Sequence, residues 1–209
     1  MVRYKKEERE QFLSRTRQLL LDSAAEEFAH KGYAEANINH ISKSAGFAKG
    51  TIYNYFASKE ELFLDLLVTT AEQHIEEIIA YVNQEDDPRR RLERFFEAGF
   101  AFVSQNLART RVLINTTYGP NPDFKLQLYQ AYQSLFQYVS RQIVALGIDE
   151  GIFREVEPNS MGTLLMTIYL GTASQVSEDG QIWLDPKQVA DFAWHALRKS
   201  NVQEAGNIS

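Results

Sequence analysis

The segment Asn37–Lys59, NINHISKSAGFAKGTIYNYFASK, decides the fold of the N-terminal part of this chain. Apolar residues at helical spacing predict a short helix over Ile38–Ala45, and Asn37 stands where its side chain can accept hydrogen bonds from the first turn. Gly46 predicts the end of this helix, because glycine readily adopts the left-handed conformation found at many helix ends.

A second short helix is predicted to begin near Lys49. In KGTIYNYF, Ile52 and Phe56 are four residues apart and are expected to face inward together. The other side chains of this stretch are left for a partner, and none of them is acidic. Two short helices joined by a tight turn are typical of a helix-turn-helix motif that reads DNA.

Helices are also predicted on both sides of this motif. Upstream, an apolar stripe that begins at Leu20 predicts a long helix, which runs to about Lys31 and stops at Gly32. Downstream, Ser58 is placed to cap a helix that continues to Val82, with two acidic residues in its first turn.

Residues 14–67 resemble the N-terminal domain of the tetracycline-repressor (TetR) family. The resemblance rests on AAEEFAHKGY, on the isoleucine and AGF of the turn, and on GTIYNYFASKEELF, which follow the order and spacing of that family. It implies an all-α protein with an N-terminal three-helix helix-turn-helix DNA-binding domain, placed at residues 1–57. A C-terminal helical domain for effector binding and dimerisation is placed at 58–209. Ala48 departs from the family pattern, since Ser or Thr is common there, and Asn39 replaces a longer basic residue.

Eight side chains in and beside the motif are candidate contacts to double-stranded operator DNA. They are Asn39, Lys43, Lys49, Thr51, Tyr53, Asn54, Tyr55 and Lys59. The hydroxyl groups and the Lys59 ammonium are expected to donate to phosphates and set the register. Asn39, Lys49 and Asn54 are candidates for base edges, because asparagine suits adenine and lysine suits guanine.

The charge of the chain is unevenly distributed along the sequence. The formal net charge is −6, yet residues 1–60 hold 10 Lys/Arg against 8 Asp/Glu, and residues 61–209 hold 12 against 20. This asymmetry is expected when one end of a protein approaches phosphates. The basic residues at the very start lie among glutamates, so they also fit a solvated helix face, and the role of residues 1–13 stays open.

Other classes of protein find little support in the sequence. The absence of cysteine excludes a disulfide framework, a thiolate metal site and thiol catalysis. Neither a phosphate-binding glycine loop nor a nucleophile elbow occurs, so we assign no catalytic residue, cofactor or enzymatic activity.

His74 with Glu77, and Asp191 with His195, have metal-like spacing, but two ligands do not make a site, and we assign no metal. A charged N-terminus and short apolar runs predict a cytoplasmic protein that does not contact membranes.

The C-terminal part is predicted to be helical throughout. A helix from Arg89 to Leu107 is followed by an interruption and by a loop over Tyr118–Pro122. A long helix then runs from Phe124 to Leu146, where Gly147 and Gly151 close it. Pro158 and Pro186 each introduce one further helix.

Six side chains of this part are candidates for binding a small effector. They are His74, Phe96, Phe100, Tyr132, Phe136 and Tyr169. An apolar pocket with a few phenolic hydroxyls would suit an apolar or aromatic ligand, which the resemblance leads us to expect between helices. Ordinary core packing is the favoured explanation for any one of the aromatic residues taken singly, and a hydrogen-bonded core histidine is the favoured explanation for His74.

Small residues in the last two predicted helices allow another helix to approach closely. Gly162, Gly171, Ala193 and Ala196 are examples, and the resemblance implies a two-fold dimer formed by these helices. The sequence therefore predicts a homodimeric repressor that a small effector releases from a pseudo-palindromic operator. A DNA-binding activator or a site-marking protein without a ligand switch is the alternative, as is a carrier or enzyme that uses the C-terminal cavity.

Overall fold

The computed structural model describes residues 6–200, with side chains from residue 8 onward. The start of the extension 1–13 and the last nine residues lie outside this range. Within it the chain is helical, apart from turns and one isolated antiparallel bridge between Phe153 and Arg198. The α-helices are α1 Lys6–Glu35, α2 Ile38–Ser44, α3 Lys59–Val82, α4 Pro88–Gln105, α5 Leu107–Tyr118, α6 Pro122–Tyr138, α7 Leu146–Asp149, α8 Pro158–Ala173 and α9 Pro186–Leu197. A 3₁₀ helix covers Thr51–Asn54, and a π-helix covers Val139–Ala145.

The described residues fall into two compact units. The first unit contains the residues up to Ala71 together with Asn106–Ala131, and the second contains Glu72–Gln105 and the residues from Tyr132 onward. α3 therefore contributes to both units, and so does α6. The boundary that we place after residue 57 comes from the resemblance and stays a prediction.

In the first unit, α1 packs against α2 and α5. Its apolar stripe, which includes Leu20 and Phe28, is buried as predicted. The buried guanidinium of Arg109 on α5 donates to Asp22 Oδ1 on α1 at 2.7 Å and to Thr70 Oγ1 on α3 at 2.9 Å. This arginine therefore joins three helices of the unit, and its charge is balanced by the Asp22 carboxylate.

In the second unit, α4 packs against α8 and α9, and α8 packs against the π-helix. The buried Arg91 at the start of α4 donates to the Gln142 carbonyl oxygen at 2.9 Å and to the Glu85 carbonyl oxygen at 2.8 Å. Gly162 of α8 lies so close to Ser140 that a Cβ atom would come within 2.2 Å of the serine Oγ. The small size of Gly162 thus serves packing inside the chain.

Several helix limits agree with the sequence signals. Gly32 has a φ of 73° and breaks the regular helix, although a helical turn resumes and reaches Glu35. Glu157 caps α8 and Asp185 caps α9, each directly before the predicted proline. The polar caps and the prolines therefore locate these helix starts correctly, as expected for signals that act within one turn.

Two expectations for the C-terminal part are wrong, namely the interruption after Leu107 and the role of Gly147. α4 ends at Gln105, and α5 occupies Leu107–Tyr118, where we predict a helix end and an interruption. The long helix after the loop is present as predicted, as α6, a π-helical segment over Val139–Ala145 and α7 that follow one another without a break. Gly147 does not close it but lies inside α7, where a Cβ would meet the Phe153 ring at 2.3 Å.

Candidate functional sites

The first candidate site is built on α2, whose start is fixed by Asn37. The Asn37 side-chain oxygen accepts from the Asn39 N–H at 2.9 Å and from the His40 N–H at 3.4 Å, which confirms the predicted cap. Ser23 on α1 donates to the Ile41 carbonyl oxygen at 3.0 Å. α2 is thus held at its first turn and along its inner side, as a helix that presents side chains to a partner requires.

The turn after α2 is shaped by Gly46, whose φ of 84° confirms the predicted left-handed end. Ser42 Oγ donates to the Ala48 carbonyl oxygen at 2.8 Å and ties the turn back to α2. The next helix differs from the prediction, because it is a 3₁₀ helix that begins at Thr51 rather than a helix from Lys49. Gly50 gives a physical reason for the later start, since its φ of 102° is left-handed and a right-handed helix from Lys49 cannot pass through it.

The inward and outward faces of this second helix are as predicted. Ile52 and Phe56 are buried, whereas Tyr53 is 53% exposed. The eight predicted DNA contacts are distributed as follows: Lys43, Lys49, Tyr53 and Asn54 are exposed, and Asn39, Thr51, Tyr55 and Lys59 are partly exposed. All eight therefore retain accessible surface, and their contacts with DNA stay a prediction.

Lys59 has structural partners in addition to its predicted role. Its ammonium donates to the carbonyl oxygens of Ala34 at 2.9 Å and Ala36 at 3.2 Å. It also lies 4.9 Å from the centre of the Tyr33 ring. The first residue of α3 is therefore anchored to the end of α1, and a lysine ammonium has three donors to share.

A buried carboxylate beside α2 was not predicted from the sequence. The Glu27 side chain is only 5% exposed, and it accepts from Lys31 Nζ at 2.9 Å and from the Asn37 N–H at 3.1 Å, while its Oε2 lies 2.8 Å from His40 Nδ1. Burial by itself would raise the pKa of Glu27, but the Lys31 and Asn37 hydrogen bonds and the charges of His40 and Lys31 hold this pKa below its ordinary value. The signal was available, since Glu27 lies seven residues after Leu20 on the buried stripe of α1.

The second candidate site is a buried polar cluster in the second unit. His74 of α3 is hydrogen-bonded on both ring nitrogens, with Nδ1 2.8 Å from Tyr132 Oη and Nε2 2.8 Å from Tyr169 Oη. Tyr169 Oη also donates to the Gly99 carbonyl oxygen at 3.2 Å, and the Phe102 ring is stacked on the imidazole at 4.1 Å. Burial lowers the pKa of His74 to about 3 and raises the pKa of both tyrosines. The cluster is therefore uncharged.

Four of the six predicted effector residues are in or directly around this cluster. Phe100 is stacked on Tyr169 with ring centres 6.0 Å apart, and Phe96 lies one ring further out, 6.4 Å from Phe100. Phe136 is partly exposed and is not among the aromatic contacts of this cluster. Their role in binding an effector stays a prediction, and their packing on one another also fits a well-ordered core.

The candidate metal pairs do not form ligand sets. Glu77 is exposed and accepts from Gln73 at 3.0 Å, while both nitrogens of His74 are engaged by tyrosines. His195 Nδ1 lies 2.8 Å from the carbonyl oxygen of Asp191. Among residues 6–200, no group of three His, Cys, Asp or Glu side chains could hold a metal ion.

In the same part of the chain, no helix has both the length and the apolar character needed to cross a membrane.

The fold and the first site define a class of protein. The first site is a helix-turn-helix of the DNA-binding type. It consists of the capped α2, the glycine turn and the outward-facing second helix, and it lies between α1 and α3 in the sequence. Further helices extend it, so the class is that of helix-turn-helix proteins with an appended all-α region.

Comparisons with known proteins identify the family. Residues 20–66 match the family described as "Bacterial regulatory proteins, tetR family". The HTH-type transcriptional activator FasR of Mycolicibacterium smegmatis is 30% identical over 130 residues, which cover 58% of this chain and 58% of FasR. The chain thus spans a little over half the length of this relative. The N-terminal domain of the chain, over residues 20–66, belongs to the tetR family of bacterial regulatory proteins.

Solved structures support the same fold over almost the whole chain. The fatty acid degradation regulator FadR from Bacillus halodurans has a TM-score of 0.78 at 20% identity, covering 88% of this chain and 97% of that one. FadR from Bacillus subtilis in complex with stearoyl-CoA has a TM-score of 0.73 at 20% identity, covering 85% and 95%. At these identities the likeness concerns the fold alone.

Proposed function

We propose that this chain is a homodimeric transcriptional repressor that binds a pseudo-palindromic operator and is released by a small apolar or aromatic effector. The observation that carries the proposal is the outward face of the helix-turn-helix. There, exposed amide, hydroxyl and ammonium groups are held by a buried frame and include no carboxylate. Such a face suits phosphates and base edges.

A dimer is supported by an apolar surface on α8 and α9 of the second unit. Leu164 is 50% exposed and Phe192 is 66% exposed, although both are large apolar residues. Gly171 has open space where a Cβ would be, so another helix could approach α8 there. Burying this surface against a second copy would remove it from water. Gly162 and Ala193, in contrast, are already buried within one chain.

The effector is proposed to bind near the uncharged aromatic cluster around His74. Its ring surfaces are apolar and its hydroxyl groups are already hydrogen-bonded to His74, which suits a neutral apolar group better than a charged one. The stearoyl-CoA complex of the Bacillus subtilis relative makes an acyl chain a reasonable first ligand to test. Binding is proposed to act through α3, because this helix continues from the second unit into the first.

The first test is selection of genomic DNA fragments by the purified protein at moderate salt. A shared two-fold motif near promoters supports the proposal, and diffuse, salt-sensitive binding alone argues for a carrier or an enzyme. A gel-shift titration with stearoyl-CoA then tests release, with coenzyme A lacking the acyl chain as the matched control. Release by stearoyl-CoA but not by coenzyme A supports an acyl effector.

An activator is a second candidate, because the relative FasR is described as a transcriptional activator. DNA binding is common to both functions, so affinity does not separate them. Transcription from the selected promoter, measured with and without the protein, does separate them. Lower transcription in its presence supports the repressor, and higher transcription supports the activator.

A further inference from the structure

The inference concerns an open cavity of about 670 Å³ in the first unit, at the end of α1. Its wall is formed by α1, α3, α5, the loop after α5 and the start of α6. Its volume lies within the range of about 300–1,000 Å³ that is usual for small-molecule sites. Every residue that lines it belongs to the first unit, and none of them belongs to the aromatic cluster around His74. The two sites are therefore built from different residues.

Aromatic rings make up much of the cavity wall. Tyr33, Phe63 and Phe124 pack against one another with ring centres 4.7 to 5.0 Å apart. The two phenylalanines are buried, and Tyr33 is partly exposed. At the end of α5, Tyr118 adds a ring that is 65% exposed. A ligand in this cavity would cover that aromatic surface and remove it from water.

The charged groups at the cavity leave one carboxylate without a partner. Lys31 lines the cavity, but its ammonium is paired with the Glu27 carboxylate at 2.9 Å. At the start of α3, Lys59 is followed directly by Glu60, so these two charges offset each other. Glu35 also lines the cavity and is exposed, and among residues 8–200 no hydrogen bond or ion pair engages its side chain. The charge left over at the cavity is therefore negative.

The protein already places one cation on the Tyr33 ring. The Lys59 ammonium lies 4.9 Å from the centre of that ring and donates to two carbonyl oxygens at the end of α1. The face of an aromatic ring and the last carbonyl groups of a helix both attract positive charge. Both α1 and α5 end at the cavity, at Glu35 and Tyr118. Two helix ends and a carboxylate thus make the cavity favourable for a cation.

We propose that this cavity binds a small organic cation with an aromatic or otherwise apolar body. The cationic centre lies beside the Glu35 carboxylate, and the apolar body covers the rings of Tyr118, Tyr33 and Phe124. An inorganic cation would leave these rings in water, and an organic anion would meet the Glu35 charge. The inference goes beyond the proposed function and does not depend on it, because it requires neither an operator nor a dimer.

The test compares two probes that have the same shape and apolar surface but opposite charge, tetraphenylphosphonium and tetraphenylborate. Their dissociation constants are measured by titration calorimetry with the purified protein, without DNA. A sodium buffer is used, because potassium precipitates tetraphenylborate. We expect tetraphenylphosphonium to bind at least about tenfold more tightly than tetraphenylborate, equivalent to about 1.4 kcal/mol. Equal affinity for the two probes, or no binding of tetraphenylphosphonium, would overturn the inference.

Two pairs of variants assign the binding to this cavity. Glu35→Gln should weaken tetraphenylphosphonium binding severalfold and bring the two probes closer in affinity. Glu26→Gln is its matched control, because Glu26 is an exposed glutamate of the same helix that does not line the cavity. Tyr118→Ala should also weaken binding, since it removes the exposed ring. Tyr129→Ala is the control for this change, because Tyr129 is 50% exposed and lies outside the cavity wall.

All four side chains are exposed, so the variants should fold as the wild-type protein does, and thermal unfolding checks this. Wild-type affinity for tetraphenylphosphonium in both Glu35→Gln and Tyr118→Ala would place the bound cation elsewhere. That result would overturn the inference and leave the proposed function intact, since operator binding is measured separately. Weaker binding in these two variants, with unchanged binding in the two controls, assigns the cation to the cavity at the end of α1.

Discussion

Tyr169 Oη lies 2.8 Å from His74 Nε2, and both side chains are buried in the second unit. Because Tyr169 also donates to the Gly99 carbonyl oxygen, its oxygen is left to accept from His74 Nε2–H. Nδ1 must then accept from the hydroxyl of Tyr132, 2.8 Å away. This assignment satisfies every polar atom of the histidine and both hydroxyl protons with a neutral ring.

A neutral buried histidine makes the fold sensitive to acid. In the folded protein the pKa of His74 is lowered to about 3 by burial, against an ordinary value of 6.5. The unfolded chain therefore binds a proton first as the pH falls. The stability contributed by neutral His74 is fully present above about pH 6.5 and is lost as the pH falls toward 3, by up to about 1.4 kcal/mol per pH unit.

This dependence is measured by urea unfolding between pH 7 and pH 5. His74→Gln should be less stable at pH 7 and should lose less stability on acidification than the wild-type protein. His30→Gln serves as the control, because His30 is exposed and should leave the acid dependence unchanged. An identical pH dependence in wild type and His74→Gln would contradict the neutral, buried assignment.

The two tyrosines should contribute to stability through one network. Tyr169→Phe removes the partner of both His74 Nε2–H and the Gly99 carbonyl oxygen, so we expect a loss of about 1–3 kcal/mol in the free energy of unfolding. Tyr132→Phe removes only the donor to Nδ1 and should cost less. A double-mutant cycle in urea tests the connection, and the two losses should not add. Additive losses would show that the two hydroxyls act independently.

Two glycines of the same helix should respond oppositely to alanine. At Gly162 a Cβ would lie 2.2 Å from Ser140 Oγ and 3.0 Å from Ser140 Cα, whereas at Gly171 no atom lies within 4 Å. We expect Gly162→Ala to destabilise the protein by about 1–3 kcal/mol through overpacking. Gly171→Ala should be neutral or should stabilise by up to about 1 kcal/mol, because alanine favours helix.

Chemical denaturation of the two glycine variants at one protein concentration provides the comparison. Combining Gly162→Ala with Ser140→Ala removes the nearest atom, so part of the loss should return. Full recovery is not expected, since Ser140 Cα keeps its place. Equal effects at the two glycines would mean that helix propensity, and not the close approach to the π-helix, decides the outcome.

The sequence predicted the features that depend on neighbours within one helical turn. Asn37 and Ser58 were identified as caps from their place before an apolar pattern, and each accepts a backbone N–H as expected. The burial of Ile52 and Phe56 followed from their spacing. The family followed from the same segment, because its motifs have a fixed order and spacing.

Features that depend on distant partners were not predicted. His74 bonds to Tyr132 and Tyr169, which are 58 and 95 residues away in the sequence. The break between α4 and α5 falls at Asn106 without a glycine or proline, while apolar residues continue on both sides. Local periodicity does not contain this information, since tertiary packing decides both the break and the partners of a buried polar group.

The outward face of the helix-turn-helix provides the sharpest test of the proposed operator contacts. Tyr55 is partly exposed beside the buried Phe56, so the two residues can be compared in adjacent positions. Tyr55→Ala should weaken operator binding by at least about tenfold, equivalent to about 1.4 kcal/mol, while the dimer and the midpoint of unfolding change little. Phe56→Ala should instead cost about 3–5 kcal/mol of stability, because it leaves a cavity under the motif.

Three measurements together separate these outcomes. Fluorescence anisotropy gives the operator affinity, thermal unfolding gives the stability, and sedimentation gives the oligomeric state. Tyr53→Phe completes the series, since it removes only the exposed hydroxyl and should weaken binding if that group donates to a phosphate. If Tyr55→Ala disrupts the dimer or unfolds the motif, Tyr55 belongs to the core and its contact role is refuted. Weaker binding with an unchanged fold and dimer supports a contact between Tyr55 and the DNA.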